Sequence, residues 1–66
     1  MKITVNGHSE EIADDTSILT FLDQRGVTVE HVVVELNTKI IKKEVFQKTM
    51  LNDGDSVEIL ELVGGG

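Results

Sequence analysis

A single short helical segment limits this chain to a two-layer fold. The cluster 14–17 (Asp-Asp-Thr-Ser) is typical of a helix N-terminus, and Gly26 stands where a glycine commonly ends a helix. The apolar stripe between them has helical spacing and consists of Ile18, Leu19, Phe21 and Leu22. A helix of roughly ten residues is marginal alone in water, so it must pack against a sheet.

Strand-like segments account for most of the remaining chain. Residues 1–5 alternate apolar and polar side chains, and Asn6-Gly7 predicts a tight turn into a second antiparallel strand over 8–13. Further strands are expected within 27–37, over 39–42 and over 56–62, with a helical turn at 44–46 and a turn at 52–55. The strand over 8–13 has few apolar residues, which places it at a sheet edge.

The expected fold class is therefore α+β, a mixed sheet of about five strands with one main helix packed on one face. The first and last strands can lie side by side at the middle of that sheet, because the helix carries the chain across it. Residues 1–62 are expected to form the domain, and residues 63–66 a flexible C-terminal tail.

Charge and composition restrict the partners. Among the 66 residues, twelve acidic side chains oppose six basic ones, and the net charge of −6 disfavours nucleic acid. The nearest basic cluster contains Lys39, Lys42, Lys43 and Lys48, and is best interpreted as a solvated face. No segment has the length of a membrane span or the core of a signal peptide, so we expect a cytoplasmic protein that does not bind membranes.

No catalytic site or metal site is predicted. The chain has no cysteine, which excludes a thiol nucleophile and cysteine-zinc sites. His8 and His31 have no third group to complete a triad, and Glu10 and Glu11 point to opposite faces of a strand. Residues 52–55 lack the later glutamate of a calcium loop. We therefore expect a protein that is not an enzyme by itself.

The segment Val63-Gly64-Gly65-Gly66 contains the remaining reactive group, a C-terminal carboxylate. Glycine lacks a Cβ, so this narrow segment can enter an enclosed cleft, and its four residues span at most about 14 Å. Adenylation would activate the carboxylate, and a sulfur nucleophile could then displace AMP. The alternative interpretation is an ordinary frayed chain end.

An apolar patch is expected beside this tail. In the final strand Val57 and Ile59 share one face, which leaves Leu60 and Leu62 on the face that the helix does not cover. Val33 is expected on the same open face. An exposed apolar patch rimmed by charge is a candidate docking site for a partner, although scattered surface aliphatic residues are also common.

Taken together, these motifs resemble the ThiS-type sulfur carrier proteins of thiamine biosynthesis, small ubiquitin-like proteins with the β-grasp fold. The matching segments are Asn6-Gly7, Thr16 with Leu22, Val34-Glu35-Leu36-Asn37, Ile40-Ile41, Leu51-Asn52-Asp53-Gly54-Asp55, Val57-Glu58-Ile59 and Val63-Gly64-Gly65-Gly66. The chain departs from the family in having Lys42-Lys43 where many members carry a proline before a basic residue.

The resemblance implies a specific chemistry. Gly66 would be adenylated by a ubiquitin-activating-type adenylyltransferase (ThiF-like) that uses ATP and magnesium, and the carrier itself would bind no cofactor. Sulfur derived from a cysteine desulfurase would convert the adenylate to a thiocarboxylate. A thiazole synthase (ThiG-like) would accept that sulfur. Val63, Gly64 and Gly65 would form the flexible arm.

Other functions remain open at this point. The same chemistry could serve another client, as in the small subunit of molybdopterin synthase or a carrier for another sulfur-containing metabolite. A different class is a non-catalytic binding module of the ubiquitin-like or TGS type, which would leave the diglycine ending unexplained. A stand-alone enzyme is the least supported class.

Overall fold

A computed structural model describes residues 1–62, so the predictions for Val63, Gly64, Gly65 and Gly66 lie outside the described residues. The strands are β1 (Lys2–Val5), β2 (His8–Glu11), β3 (Val32–Leu36), β4 (Lys39–Ile41) and β5 (Ser56–Glu61), and the helix α1 spans Ile18–Gln24. Two short 3₁₀ turns, Val29–His31 and Lys43–Val45, precede β3 and follow β4.

The five strands form one mixed sheet in the order β2-β1-β5-β3-β4. β1 and β5 are parallel neighbours near its centre, and the other pairs are antiparallel. This confirms the predicted sheet, including the central position of the first and last strands and the edge position of β2.

One face of the sheet and α1 enclose the core. Its fully buried apolar residues are Ile3, Val5, Ile18, Phe21, Leu22, Val32, Val34, Phe46, Leu51 and Val57. The turn Lys43–Val45 delivers Phe46 to one end of this core, as the sequence predicted for 44–46. The helix therefore covers one face, and the opposite face of the sheet is left open.

α1 is shorter than the roughly ten residues that its capping pattern suggests. Ser17 is the N-cap, and its Oγ accepts a hydrogen bond from the Thr20 N–H at 3.1 Å. The Leu51 N–H donates to the Thr16 carbonyl O at 2.9 Å, and Ser17 bridges to Met50. These contacts hold residues 16 and 17 in extended pairing, so the helix begins only at Ile18.

The hairpin between β1 and β2 follows the sequence prediction. Asn6 and Gly7 both have positive φ, +48° and +84°, as the two central residues of this tight turn require. β2 ends at Glu11 rather than at residue 13, because its last partner in β1 is Lys2. The turn is therefore correct and the predicted strand is two residues too long.

Candidate functional site

The open face of the sheet carries the apolar residues that the sequence singled out. Leu60 is 61% exposed and Leu62 is 52% exposed, whereas Val33 is half-buried. Val33 and Leu60 are direct partners in the antiparallel pairing of β3 with β5. The structure thus brings Val33 and Leu60 together on adjacent strands, and Leu62 follows immediately at the end of β5.

The chain is anchored where it leaves the sheet. The Leu62 N–H donates a hydrogen bond of 2.7 Å to the carbonyl O of His31, the last residue of a 3₁₀ turn. The same turn is held from its other side, because Lys43 Nζ donates to the Glu30 carbonyl O at 2.9 Å. The point from which residues 63–66 depart is therefore fixed relative to the open face.

Sequence reasoning missed one exposed residue at this site. Ile40 in β4 is 68% exposed and pairs with Glu35 of β3. The signal was present in the sequence, since adjacent residues of a strand point to opposite faces and Ile40 and Ile41 cannot both enter the core. Ile41 is the half-buried residue of the two.

A shallow depression lies between β4 and the start of β3. Its volume is about 430 Å³, and its lining residues are Val32, Val33, Ile40, Ile41, Lys42, Lys43 and Glu44. Pairing between β3 and β4 ends at Val34 and Ile41. Within the described chain, the β4-facing backbone of Val32 therefore has no strand partner, and Lys42, Lys43 and Glu44 border it.

Two of the polar groups away from this face have structural partners. Arg25 Nη1 contacts both carboxylate oxygens of Glu10 at 2.8 and 2.9 Å, which ties β2 to the end of α1. Asp55 Oδ2 accepts from the Asn52 N–H at 2.7 Å, which closes the predicted turn at 52–55. Over residues 1–62 no group of three or more His, Cys, Asp or Glu side chains is arranged to hold a metal ion.

Neither α1 nor any other helical segment in the described range is long and apolar enough to cross a membrane. The two histidines lie apart, His8 in β2 and His31 in a 3₁₀ turn, and both are exposed. The described residues thus bring together three features of a candidate site, namely the exposed apolar residues of the open face, the depression bordered by Lys42, Lys43 and Glu44, and the anchored end of β5.

Comparison with known proteins gives matches over the whole domain. The model of the ThiS family matches residues 3–66. The crystal structure of a thiamine biosynthesis protein (ThiS) from Geobacter metallireducens superposes with a TM-score of 0.86 at 38% identity, and each chain is covered completely.

Two curated relatives differ in how much of them the chain covers. A thiazole synthase of Paramagnetospirillum magneticum is 33% identical over all 66 residues, but the chain spans only 20% of that protein. The uncharacterized protein ycf40 of Porphyra purpurea is 30% identical over the same 66 residues, which span 93% of its length.

Proposed function

This chain belongs to the ThiS family, and we propose that it is a sulfur carrier protein of thiamine biosynthesis. It acts as a protein co-substrate that other enzymes modify and consume. The observation that carries the proposal is the similarity to the ThiS structure of Geobacter metallireducens, which extends over the full length of both chains.

The proposed chemistry takes place at Gly66. A carboxylate oxygen of Gly66 attacks the α-phosphorus of ATP, pyrophosphate leaves, and an acyl adenylate forms. The outer sulfur of a persulfide, derived from a cysteine desulfurase, then attacks the carbonyl carbon and expels AMP. A thiol reductant cleaves the resulting S–S bond and is itself oxidised to a disulfide. The product is a thiocarboxylate, in which sulfur replaces one carboxylate oxygen. ATP and magnesium bind to the adenylyltransferase of the ubiquitin-activating type (ThiF-like), not to the carrier.

The described residues support this role by what they offer a partner. Val33, Leu60 and Leu62 are the apolar contacts with the enzymes that act on Gly66, and Val63, Gly64 and Gly65 form the arm that reaches their active sites. The hydrogen bond from the Leu62 N–H to His31 fixes the origin of that arm. Four extended residues span at most about 14 Å, so the partner's active site opens within that distance of Leu62.

The proposed sulfur acceptor is a thiazole synthase (ThiG-like), and an assay of sulfur delivery to that enzyme tests the proposal. The chain, its adenylyltransferase, ATP, magnesium and a sulfide source are combined with thiazole synthase and the small substrates of that enzyme. We expect thiazole phosphate to form only when the chain is present, and to carry the isotope of the labelled sulfide. If the sulfurated chain instead supports only the large subunit of molybdopterin synthase, the proposed client is wrong.

A further inference from the structure

The positive charge of this acidic protein is concentrated in residues 39–48, part of which lines the depression. Residues 39–48 contain four lysines against one glutamate, a formal charge of +3 within a chain of net charge −6. Lys42, Lys43 and Glu44 belong to the lining of the depression, which gives it a formal charge of +1, whereas Lys39 and Lys48 lie outside it. A surface that combines cations with apolar residues is complementary to a surface that combines carboxylates with an apolar side chain.

We define the lysine notch as Val33, Ile40, Lys42 and Lys43. Ile40 provides a large exposed apolar surface. Val33 lies directly beside Leu60 of the neighbouring strand β5. The backbone groups of Val32, which face β4 beyond the last paired residues Val34 and Ile41, lie next to these side chains. The notch can therefore receive an inserted side chain, and Val32 can at the same time hydrogen-bond to one residue of a partner's backbone.

The notch is also close to the end of β5. β3 is the direct neighbour of β5, and adjacent strands lie about 4.8 Å apart. Lys43 additionally contacts the turn whose His31 carbonyl holds Leu62. A protein seated in the notch thus lies within the span of about 14 Å that four extended residues can cover from Leu62.

We propose that the lysine notch docks the thiazole synthase, through a surface of that enzyme that presents an apolar side chain flanked by carboxylates. This inference rests on the proposed function. The thiazole synthase of Paramagnetospirillum magneticum contains a segment similar to all 66 residues of this chain, so a domain of this kind and the rest of that protein occupy one polypeptide. A second copy of this chain that used the same face is disfavoured as the occupant, because such a symmetric contact would bring lysines against lysines.

A charge-reversal pair tests the proposal against a matched control. Lys42→Glu alters the notch, and Lys39→Glu changes the net charge by the same amount outside it. Lys43 is kept in both variants, because its Nζ holds the turn that anchors Leu62. Binding of each variant to purified thiazole synthase is measured at low and high salt, and thermal unfolding checks each fold. We expect Lys42→Glu to weaken binding about fivefold at low salt and Lys39→Glu less than about twofold. The difference should shrink at high salt.

A second pair of variants tests the apolar part without altering charge. Ile40→Ala removes the exposed side chain of the notch, and Met50→Ala shortens another exposed apolar residue elsewhere. We expect Ile40→Ala to weaken binding about fivefold and Met50→Ala to leave it unchanged within about twofold, because only Ile40 is buried in the complex. Equal effects of the matched variants, in either pair, would overturn the proposal.

The outcome is separable from that of the proposed function. Sulfur gain by the unaltered chain is measured by intact mass, without thiazole synthase. If the unaltered chain gains sulfur and binds thiazole synthase, while the notch variants bind as tightly as their controls, the notch assignment alone is wrong. If the unaltered chain gains no sulfur, the proposed function is wrong, whatever the notch variants show.

Discussion

The Leu62 N–H and the His31 carbonyl O are joined by a hydrogen bond of 2.7 Å, which ties the last described residue to the turn before β3. Lys43 holds the same turn through the Glu30 carbonyl O at 2.9 Å. Three segments that are distant in sequence therefore meet where the chain leaves the sheet. This contact fixes the backbone of Leu62 relative to the turn Val29–His31.

Lys43→Ala should loosen this anchor. An exposed hydrogen bond contributes about 0.5–1.5 kcal/mol, so we expect hydrogen exchange at the Leu62 amide to accelerate about threefold to tenfold. The control is Lys42→Ala, which removes a neighbouring exposed lysine. Hydrogen exchange measured residue by residue by NMR checks this. Equal acceleration in both variants would show that Lys43 does not stabilise the anchor.

Asn6→Ala should lower the free energy of unfolding by about 2 kcal/mol. The Asn6 Oδ1 accepts from the Ile59 N–H at 2.7 Å, its Nδ2 donates to the Ile59 carbonyl O at 3.3 Å, and its φ is +48°. The loss combines these hydrogen bonds with the strain of alanine at positive φ.

Asn6→Gly separates the two causes, since glycine accepts positive φ but has no amide side chain. We expect that variant to lose about 1 kcal/mol in a urea titration. An alanine variant as stable as the unaltered chain would show that the link between Asn6 and Ile59 contributes nothing.

Much of the fold could be predicted because its signals are local. Asn6-Gly7 specifies its turn through backbone conformation, and the capping residues before Ile18 specify the helix. The length of α1 was overestimated because Leu51 and Met50, which are distant in sequence, hold residues 16 and 17 in extended pairing. A contact such as that of the Asn6 side chain with Ile59 leaves no pattern that a reading of neighbouring residues could detect.

Phe46→Ala should largely unfold the domain. Phe46 is fully buried at the end of the core, and truncating such a side chain costs about 3–5 kcal/mol. A domain of this size has a total stability at the low end of about 5–15 kcal/mol. Far-UV circular dichroism during heating checks this.

Phe46→Leu is the control, because it keeps most of the buried volume and should cost roughly half as much. An alanine variant that melts within a few degrees of the unaltered chain would show that the turn Lys43–Val45 does not close the core.

Leu60→Ala should impair activation without impairing the fold. Leu60 and Met50 are 61% and 43% exposed, so truncating either changes stability by no more than about 0.5 kcal/mol. Only Leu60 lies on the proposed docking face. We expect Leu60→Ala to raise the concentration of chain that gives half-maximal adenylation about fivefold, and Met50→Ala to leave it unchanged. An equal rise in both variants would place docking elsewhere.

The candidate site was predictable where alternation along a strand decides it. Leu60 was assigned to the open face because Val57 and Ile59 occupy the other, and Val33 was assigned in the same way. Their direct pairing depends on the register of β3 with β5, which the sequence does not specify. The depression beside Lys42 and Lys43 arises from the early end of β4, so it too required the structure.

The most direct test concerns the mass of the chain and the position of its sulfur. The chain is incubated with its adenylyltransferase, ATP, magnesium and a sulfide source, and is then measured intact and by fragmentation. Because it contains no cysteine, sulfur cannot be held as a persulfide on a side chain. We predict the mass gain of one oxygen replaced by sulfur, located at Gly66 and abolished by its deletion. An unchanged mass, while the adenylyltransferase is active on a known carrier, would contradict the account.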